Sequence, residues 1–296
     1  MSKEFDVLRE SLNKKVDYSK SRNVISHSQL TKYEDCARQW KLAYIDKEKR
    51  YQPSVYSILG TALHEAHQLH STKALAYSDI QKYLYYELKR QKSDLSDQDY
   101  KKAKHWSLKI LNNTDFAAPP TKNVELHNVE RALHLPILDG YDVWFVGFID
   151  EEWINQKGQI LLSDMKFTHK GWTKWTRQDP LKVGQLQLYK WAYHKITGVP
   201  LKDIKIVYDI FQFEFHDWEF NDKHRRPFRP KDTNAACKIM WEQLEQMVVE
   251  CFNPDGTYRT NREYDQQPFK KITCKWCDYN FETHNCDILT RLDPLK

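Results

Sequence analysis

The sequence predicts an α+β fold in which helices flank a mixed sheet, and two observations support this prediction. Helical and strand patterns follow one another as helix, three strands, helix and strand. The turn signals at Asp139-Gly140 and at 155–158 separate three strands and predict a meander. The predicted strands of this meander are 124–138, 141–155 and 159–168.

Helical patterns precede and follow the meander. Apolar residues recur at helical spacing in 26–44, which predicts a helix or a short hairpin plus helix, and in 54–75, which predicts a second helix. Asp179 and Pro180 begin a further helix, and Gly198 ends it. The remaining predicted elements are a charged helical insertion outside the core, a strand and an amphipathic helix, at 79–112, 204–213 and 233–252.

Length and composition indicate one soluble globular domain. The 296 residues are 40% hydrophobic and 29% charged, and we expect a polar lead-in at 1–22 before a single domain at 23–296. The sequence shows neither a secretory signal pattern nor a run of about 18 apolar residues, so we expect a cytoplasmic protein. The formal net charge of +5 permits nucleic acid as a partner without requiring it.

Asp164 and Lys166 are the candidate catalytic pair. They alternate along one predicted strand and therefore project from the same face, where a buried carboxylate and ammonium are costly to desolvate. Asp150, on the preceding strand, adds a second carboxylate and completes a site for a hard divalent cation. This set of groups suits metal-assisted hydrolysis of a phosphodiester. Taken alone, such a pair is more commonly a solvated ion pair at a strand edge.

Histidines on the second predicted helix allow two interpretations. His64, with His67 and His70, either forms the edge of an ordinary amphipathic helix or supplies a metal ligand. A zincin site is excluded, because that motif needs histidines four residues apart and position 68 is Gln.

Four motifs in order resemble a known family. Gly60-x3-His64-Glu65, Gly147-Phe-Ile-Asp150, Asp164-x-Lys166 and Gln185-x3-Tyr189 are similar to the RecB-like branch of the PD-(D/E)XK nuclease superfamily. That branch includes the RecB and AddAB nuclease domains and the CRISPR-adaptation nucleases. The resemblance covers roughly 24–290. It implies a restriction-endonuclease-like core and a Mg- or Mn-dependent deoxyribonuclease, an exonuclease that acts on DNA ends in recombination, repair or DNA processing.

The resemblance also implies a role for each motif residue. Four groups would hold the metal: His64, Asp150, Asp164 and the backbone carbonyl of Met165. Lys166 would orient the attacking water and offset charge on the phosphate. Gln185 and Tyr189, one helical turn apart, would hold the lysine or the DNA backbone. Gly60 would leave room for a strand of nucleic acid.

The cysteines at 274, 277 and 286 have the spacing of metal ligands. With the upstream Cys36 they resemble the iron staple of AddAB-type and CRISPR-associated nucleases, which implies a 4Fe–4S cluster that joins 273–290 to Cys36. Four thiolates also fit zinc, and His284 is an alternative fourth ligand. The staple would stabilise the fold by closing a long loop. Cys237 and Cys251 align with apolar residues and are predicted to lie in the core.

Two basic segments are candidate DNA-binding surfaces. Segment 223–231 is predicted to be a loop that follows phosphates, and segment 166–175 combines cations with tryptophans on which bases stack. The candidate residues are Lys170, Trp172, Lys174, Trp175, Arg225, Arg226 and Arg229.

Two alternatives to the exonuclease remain open. One is a catalytically silent DNA-binding or assembly module of the same fold, and the other is a CRISPR-adaptation processing nuclease. The sequence contains no G-x4-G-K-[ST] motif, so a helicase partner would be a separate chain.

Overall fold

The computed structural model describes residues 2–12, 16–48, 53–215, 223–264, 277 and 279. The chain divides into two compact units. One unit comprises Met1–Val16, Pro53–Leu133 and Phe148–Lys238, and the other comprises Asp17–Gln52, His134–Gly147 and Ile239–Lys296.

The sheet confirms the predicted α+β class. Its strands are β1 (Asn23–Ile25), β2 (Val124–Pro136), β3 (Val143–Asn155), β4 (Ile160–Thr168), β5 (Ile204–Gln212) and β6 (Arg225–Phe228). The strand order is β1-β3-β4-β5-β6, and β2 also pairs with β3. The β1–β3 and β4–β5 pairs are parallel, whereas β3–β4 and β5–β6 are antiparallel, so the sheet is mixed.

The α-helices fall mostly where the sequence predicts them. They are α1 (Ser2–Ser11), α2 (His27–Asp35), α3 (Ala37–Tyr44), α4 (Val55–Ser71), α5 (Ile80–Arg90), α6 (Asp97–Asn113), α7 (Lys174–Gln178), α8 (Pro180–Thr197) and α9 (Asn234–Cys251). Asp179 caps α8 by accepting a bond from the amide of Leu181, and Gly198 ends the helix with φ at 74°.

Three local predictions need correction. Segment 26–44 forms two helices because Cys36, with φ at −166°, interrupts them. The lead-in includes α1, since Phe5 is buried against Tyr83. Residues 225–228 of the supposed basic loop form β6, because their backbone pairs with β5.

The charged insertion at 79–112 is helical as predicted, but placing it outside the core was wrong. The apolar faces of α5 and α6 join α4 in the core of the first unit, with Tyr83, Leu88 and Ile110 all 0% exposed. Met165 on β4 belongs to the same cluster, so these helices pack against the sheet. Glu87 is 0% exposed and paired with Arg90, whereas the other charged side chains of α5 and α6 lie on partly or fully exposed faces, opposite the buried apolar stripe.

In the second unit Trp40 is the central core residue. It is 0% exposed and contacts an aromatic group whose members are Tyr33, Tyr44, Phe252, Tyr258 and Tyr264. Cys237 in the first unit and Cys251 in the second are both 0% exposed, as predicted. Within the described ranges, no helix is both long enough and apolar enough to span a membrane.

Candidate active site

The site lies where β3 and β4 separate. Their antiparallel ladder runs from Ile154↔Ile160 to Glu151↔Ser163, so Asp150 and Asp164 lie one residue beyond its end. There the side chain of Asp150 takes the place of a backbone partner: its Oδ2 accepts the amide of Met165 at 2.8 Å. This bond fixes one carboxylate next to the segment that carries the other.

Lys166 connects the strand to α8. Its Nζ lies 2.7 Å from Oδ2 of Asp164 and donates to Oε1 of Gln185 at 2.8 Å. Gln185 in turn donates to the hydroxyl of Tyr189 at 3.1 Å. The structure therefore brings together Asp164, Lys166, Gln185 and Tyr189 in one chain of hydrogen bonds and ion pairs.

His64 approaches the site from α4. Its Nδ1 lies 3.5 Å from Oδ2 of Asp150, and its ring packs edge-on against Phe167 at 5.1 Å. One turn earlier, a Cβ at Gly60 would meet the Cβ of Phe167 at 3.8 Å, an ordinary van der Waals distance, so packing of α4 on β4 does not itself require a glycine.

Burial dominates the electrostatics of Asp164. The residue is 2% exposed, and loss of solvation raises the pKa of its carboxyl to about 6. The Lys166 ammonium opposes this rise, whereas the Asp150 carboxylate adds to it. The site therefore holds more negative charge than Lys166 compensates, which favours an added cation.

The ligand types of His64, Asp150, Asp164 and the Met165 carbonyl suit a divalent metal. In the described part of the chain, no three His, Cys, Asp or Glu side chains converge closely enough to form a metal site by themselves. The observed arrangement instead places the Lys166 ammonium on Asp164.

Two further buried carboxylates follow Asp150 on β3. Glu151 lies 3.5 Å from His67 and accepts from the indole of Trp153 at 3.1 Å. Burial raises the pKa of Glu151 to about 8 and lowers that of His67 to about 3, so both are largely neutral at pH 7. Glu152 accepts from Tyr193 at 2.5 Å and from Arg131 at 3.0 Å. Sequence reasoning missed both carboxylates, because their partners are distant in sequence.

Tyr208 on β5 is a positioning residue that sequence reasoning missed. Its buried hydroxyl accepts the amide of Leu186 at 3.1 Å and donates to the carbonyl of Val183 at 3.1 Å. These contacts fix the turn of α8 that carries Gln185. In the sequence, Tyr208 stands in an apolar strand and cannot be told from an ordinary buried strand residue.

The segment after β4 is anchored to β5. Gly171 has φ at 75°, a left-handed conformation that favours glycine, and a Cβ there would also displace Oε1 of Gln212, 2.4 Å away. Trp172 packs on Tyr208 at 4.7 Å, whereas Trp175 on α7 is 78% exposed. The sequence predicted both as stacking surfaces, and only Trp175 presents a largely free ring. Lys174 is exposed, and Lys170 is half-buried.

The three arginines of β6 and the residues that follow it differ. Arg225 donates to Asp209 and to the carbonyls of Asp115 and Ala118, so its guanidinium serves the fold. Arg226 is partly exposed and Arg229 is exposed. We therefore assign Arg225 to the stability of the fold and not to the predicted DNA-binding role.

Only part of the predicted staple lies in the described ranges. Cys36 and Cys277 are both partly exposed, and Cys274, Cys286 and His284 lie outside the described residues. Tyr279, two residues after Cys277, is buried and donates to the carbonyl of Glu48.

Comparison with known proteins identifies the family. A family model described as the PD-(D/E)XK nuclease superfamily matches residues 24–281. The chain therefore belongs to the PD-(D/E)XK nuclease superfamily, whose nucleases use divalent metals. No curated protein matches the sequence.

Among solved structures, 17 chains match. One of them, titled "Crystal structure of SSO0001", is 14% identical with a TM-score of 0.40, and the alignment covers 93% of this chain and 91% of that chain.

Proposed function

We propose that this protein is a Mg- or Mn-dependent deoxyribonuclease of the RecB-like branch. It would act as an exonuclease, which hydrolyses the phosphodiester bonds of DNA starting from its ends. The observation that supports this most directly is the position of the Lys166 ammonium, 2.7 Å from Asp164 and 2.8 Å from Gln185. Membership of a nuclease superfamily makes DNA the expected substrate.

In the proposed reaction each residue has a distinct task. Asp150, Asp164, His64 and the Met165 carbonyl would hold a divalent metal, which supplies Lewis acidity and lowers the pKa of bound water. Lys166 orients the attacking water and offsets charge that develops on the phosphate oxygens. Gln185, held by Tyr189, keeps the ammonium in place.

The proposed DNA-binding surface follows from exposure and charge. We assign phosphate contacts to the cations of this surface, which are Arg226, Arg229, Lys170 and Lys174. We assign base contacts to the ring of Trp175 and to the ring edge of Trp172. We also assign Gly60 to this surface, where the missing side chain would leave room for a strand of nucleic acid.

We also propose that Cys36, Cys274, Cys277 and Cys286 hold a 4Fe–4S cluster, with zinc as the alternative metal. The supporting observation is a hydrogen bond from the hydroxyl of Tyr279, two residues after Cys277, to the carbonyl of Glu48. Both residues belong to the compact unit that contains Cys36. The iron and zinc contents of anaerobically purified protein decide between these metals, and the absence of both would refute the proposal.

Cleavage assays on linear and circular DNA test the nuclease assignment. With Mg or Mn the wild type should degrade end-labelled linear DNA, spare covalently closed circles and stop when EDTA is added. Asp164→Ala should reduce the rate at least about 100-fold, because it removes a buried carboxylate of the site. Asp97→Ala changes an exposed aspartate on α6 and should retain full activity.

Other outcomes separate the alternatives. DNA binding without cleavage under every metal condition would favour the silent binding module. Cleavage of closed circles would replace the exonuclease with an endonuclease, and full activity in Asp164→Ala would refute the assigned site.

A further inference from the structure

A stack of parallel aromatic rings leads from the core of the first unit to its surface. Phe213, 0% exposed, stacks on Trp106 at 5.4 Å with an interplanar angle of 9°. Trp106, 5% exposed, stacks on Tyr56 at 5.5 Å and 19°. Tyr56 is 40% exposed, so the outermost ring of the stack borders solvent.

Polar groups hold this stack in a fixed geometry. The indole of Trp106 donates to Glu214 at 2.8 Å, and Lys109 neutralises the same carboxylate at 2.9 Å. His169 touches both outer rings, at 5.3 Å from Tyr56 and 5.4 Å from Trp106. The backbone carbonyl of His169 accepts from the amides of Phe213 and Glu214, which ties its segment to the end of β5. The outer tyrosine therefore rests on a rigid base.

The elements that carry the stack also carry the candidate active site. Tyr56, Gly60 and His64 follow one another at four-residue spacing, so they lie on one stripe of α4. Eight residues of helix correspond to about 12 Å. That length equals about three to four stacked nucleotides at about 3.4 Å each. His169 comes three residues after Lys166, so the segment leaving β4 runs from the site toward the stack.

We propose that Tyr56 is a stacking platform for an unpaired base of the DNA strand whose phosphate lies at Asp164 and Lys166. This inference rests on the proposed nuclease function. A base would extend the ring series by one layer, which a paired base in the interior of a duplex cannot do without leaving its pair. The substrate class assigned to this surface is therefore single-stranded DNA, or the frayed or overhanging end of a duplex.

Binding measured without cleavage tests the platform. Wild-type protein in EDTA is titrated into single-stranded oligonucleotides that carry 2-aminopurine at successive positions, and into a capped duplex, whose two ends are both closed by tight hairpin loops. We expect strong quenching at one position and weaker quenching at the others. Tyr56→Ala should weaken single-strand binding at least about fivefold and abolish that quenching maximum, because base stacking on an aromatic ring is lost.

Two variants serve as controls. Tyr56→Phe keeps the ring and should bind within twofold of wild type. Tyr77→Ala removes a tyrosine of similar exposure, 45% against 40%, and should leave binding unchanged. Affinity for the capped duplex should change less than twofold in all three variants, and unchanged thermal midpoints will show that they are folded.

The failure of this inference is distinguishable from the failure of the proposed function. If Tyr56→Ala binds single strands like wild type, or weakens single strands and capped duplex equally, the platform is refuted even where Asp164→Ala abolishes cleavage. If the Tyr56 effects occur and Asp164→Ala still cleaves normally, the platform stands and the catalytic assignment falls.

Discussion

Two buried aspartates lie on the neighbouring parallel strands β4 and β5, each paired with a cation, and only one of these pairs lies in the candidate site. Met165 on β4 is in register with Asp209 on β5, so Asp209 lies beside the segment that carries the Asp164–Lys166 pair, with its side chain on the opposite face of the sheet. Asp164 and Asp209 are 2% and 1% exposed, and burial raises the pKa of both carboxyls. The carboxylates are thus alike, and the difference lies in their cations.

Arg225, the cation paired with Asp209, is held by several hydrogen bonds. The Arg225 guanidinium makes contacts with both carboxylate oxygens and with two backbone carbonyls, and its side chain is 13% exposed. The Lys166 side chain is 30% exposed and contacts one carboxylate and one amide. A planar guanidinium suits a fixed structural bridge, whereas an ammonium with free access suits a group that must meet substrate.

The largest expected effect is on stability, at the structural pair. Arg225→Ala leaves the buried Asp209 without its cation and should lower the free energy of unfolding by about 3–5 kcal/mol. Urea denaturation measures this change. Arg229→Ala removes an exposed arginine of the same segment and should alter stability by less than about 0.5 kcal/mol. Equal stability of the two variants would remove the distinction between the pairs.

The next effect is on activity, at the candidate catalytic pair. Lys166→Ala should reduce kcat about 10²- to 10³-fold, because charge on the phosphate loses its compensating cation. Its free energy of unfolding should fall by less than that of Arg225→Ala. The pKa of Asp164 is already about 6, so a proton can replace the ammonium at modest cost. Steady-state cleavage and urea denaturation of the same preparation check both statements; a stable variant with full activity would contradict the proposed role.

The contrast also shows what the sequence could predict. Alternation along β4 placed Asp164 and Lys166 on one face, and helical spacing placed Gln185 beside Tyr189; both arrangements are observed. Local periodicity is sufficient here because the partners are two or four residues apart.

Long-range partners could not be predicted in this way. The sequence predicted Arg225 to contact phosphates from a basic loop, because nothing near it in sequence indicates Asp209, sixteen residues upstream on another strand. Trp106 lies in segment 79–112, whose many charges predicted a position outside the core. Its ring nevertheless stacks on Phe213 in the core. In both cases tertiary packing decides the role of the side chain.

The smallest expected effect concerns the residue that positions Lys166. Gln185→Ala removes the acceptor of the ammonium and should lower kcat about tenfold, equivalent to about 1.4 kcal/mol, with little change in KM. Gln185→Glu retains an oxygen acceptor and should restore most of this activity, which a merely structural role would not predict. Gln178→Ala changes an exposed glutamine just before α8 and should behave as wild type. If Gln185→Ala instead raises KM at constant kcat, Gln185 binds DNA directly. In that case the greater exposure of the Lys166 side chain, compared with that of Arg225, does not depend on this glutamine.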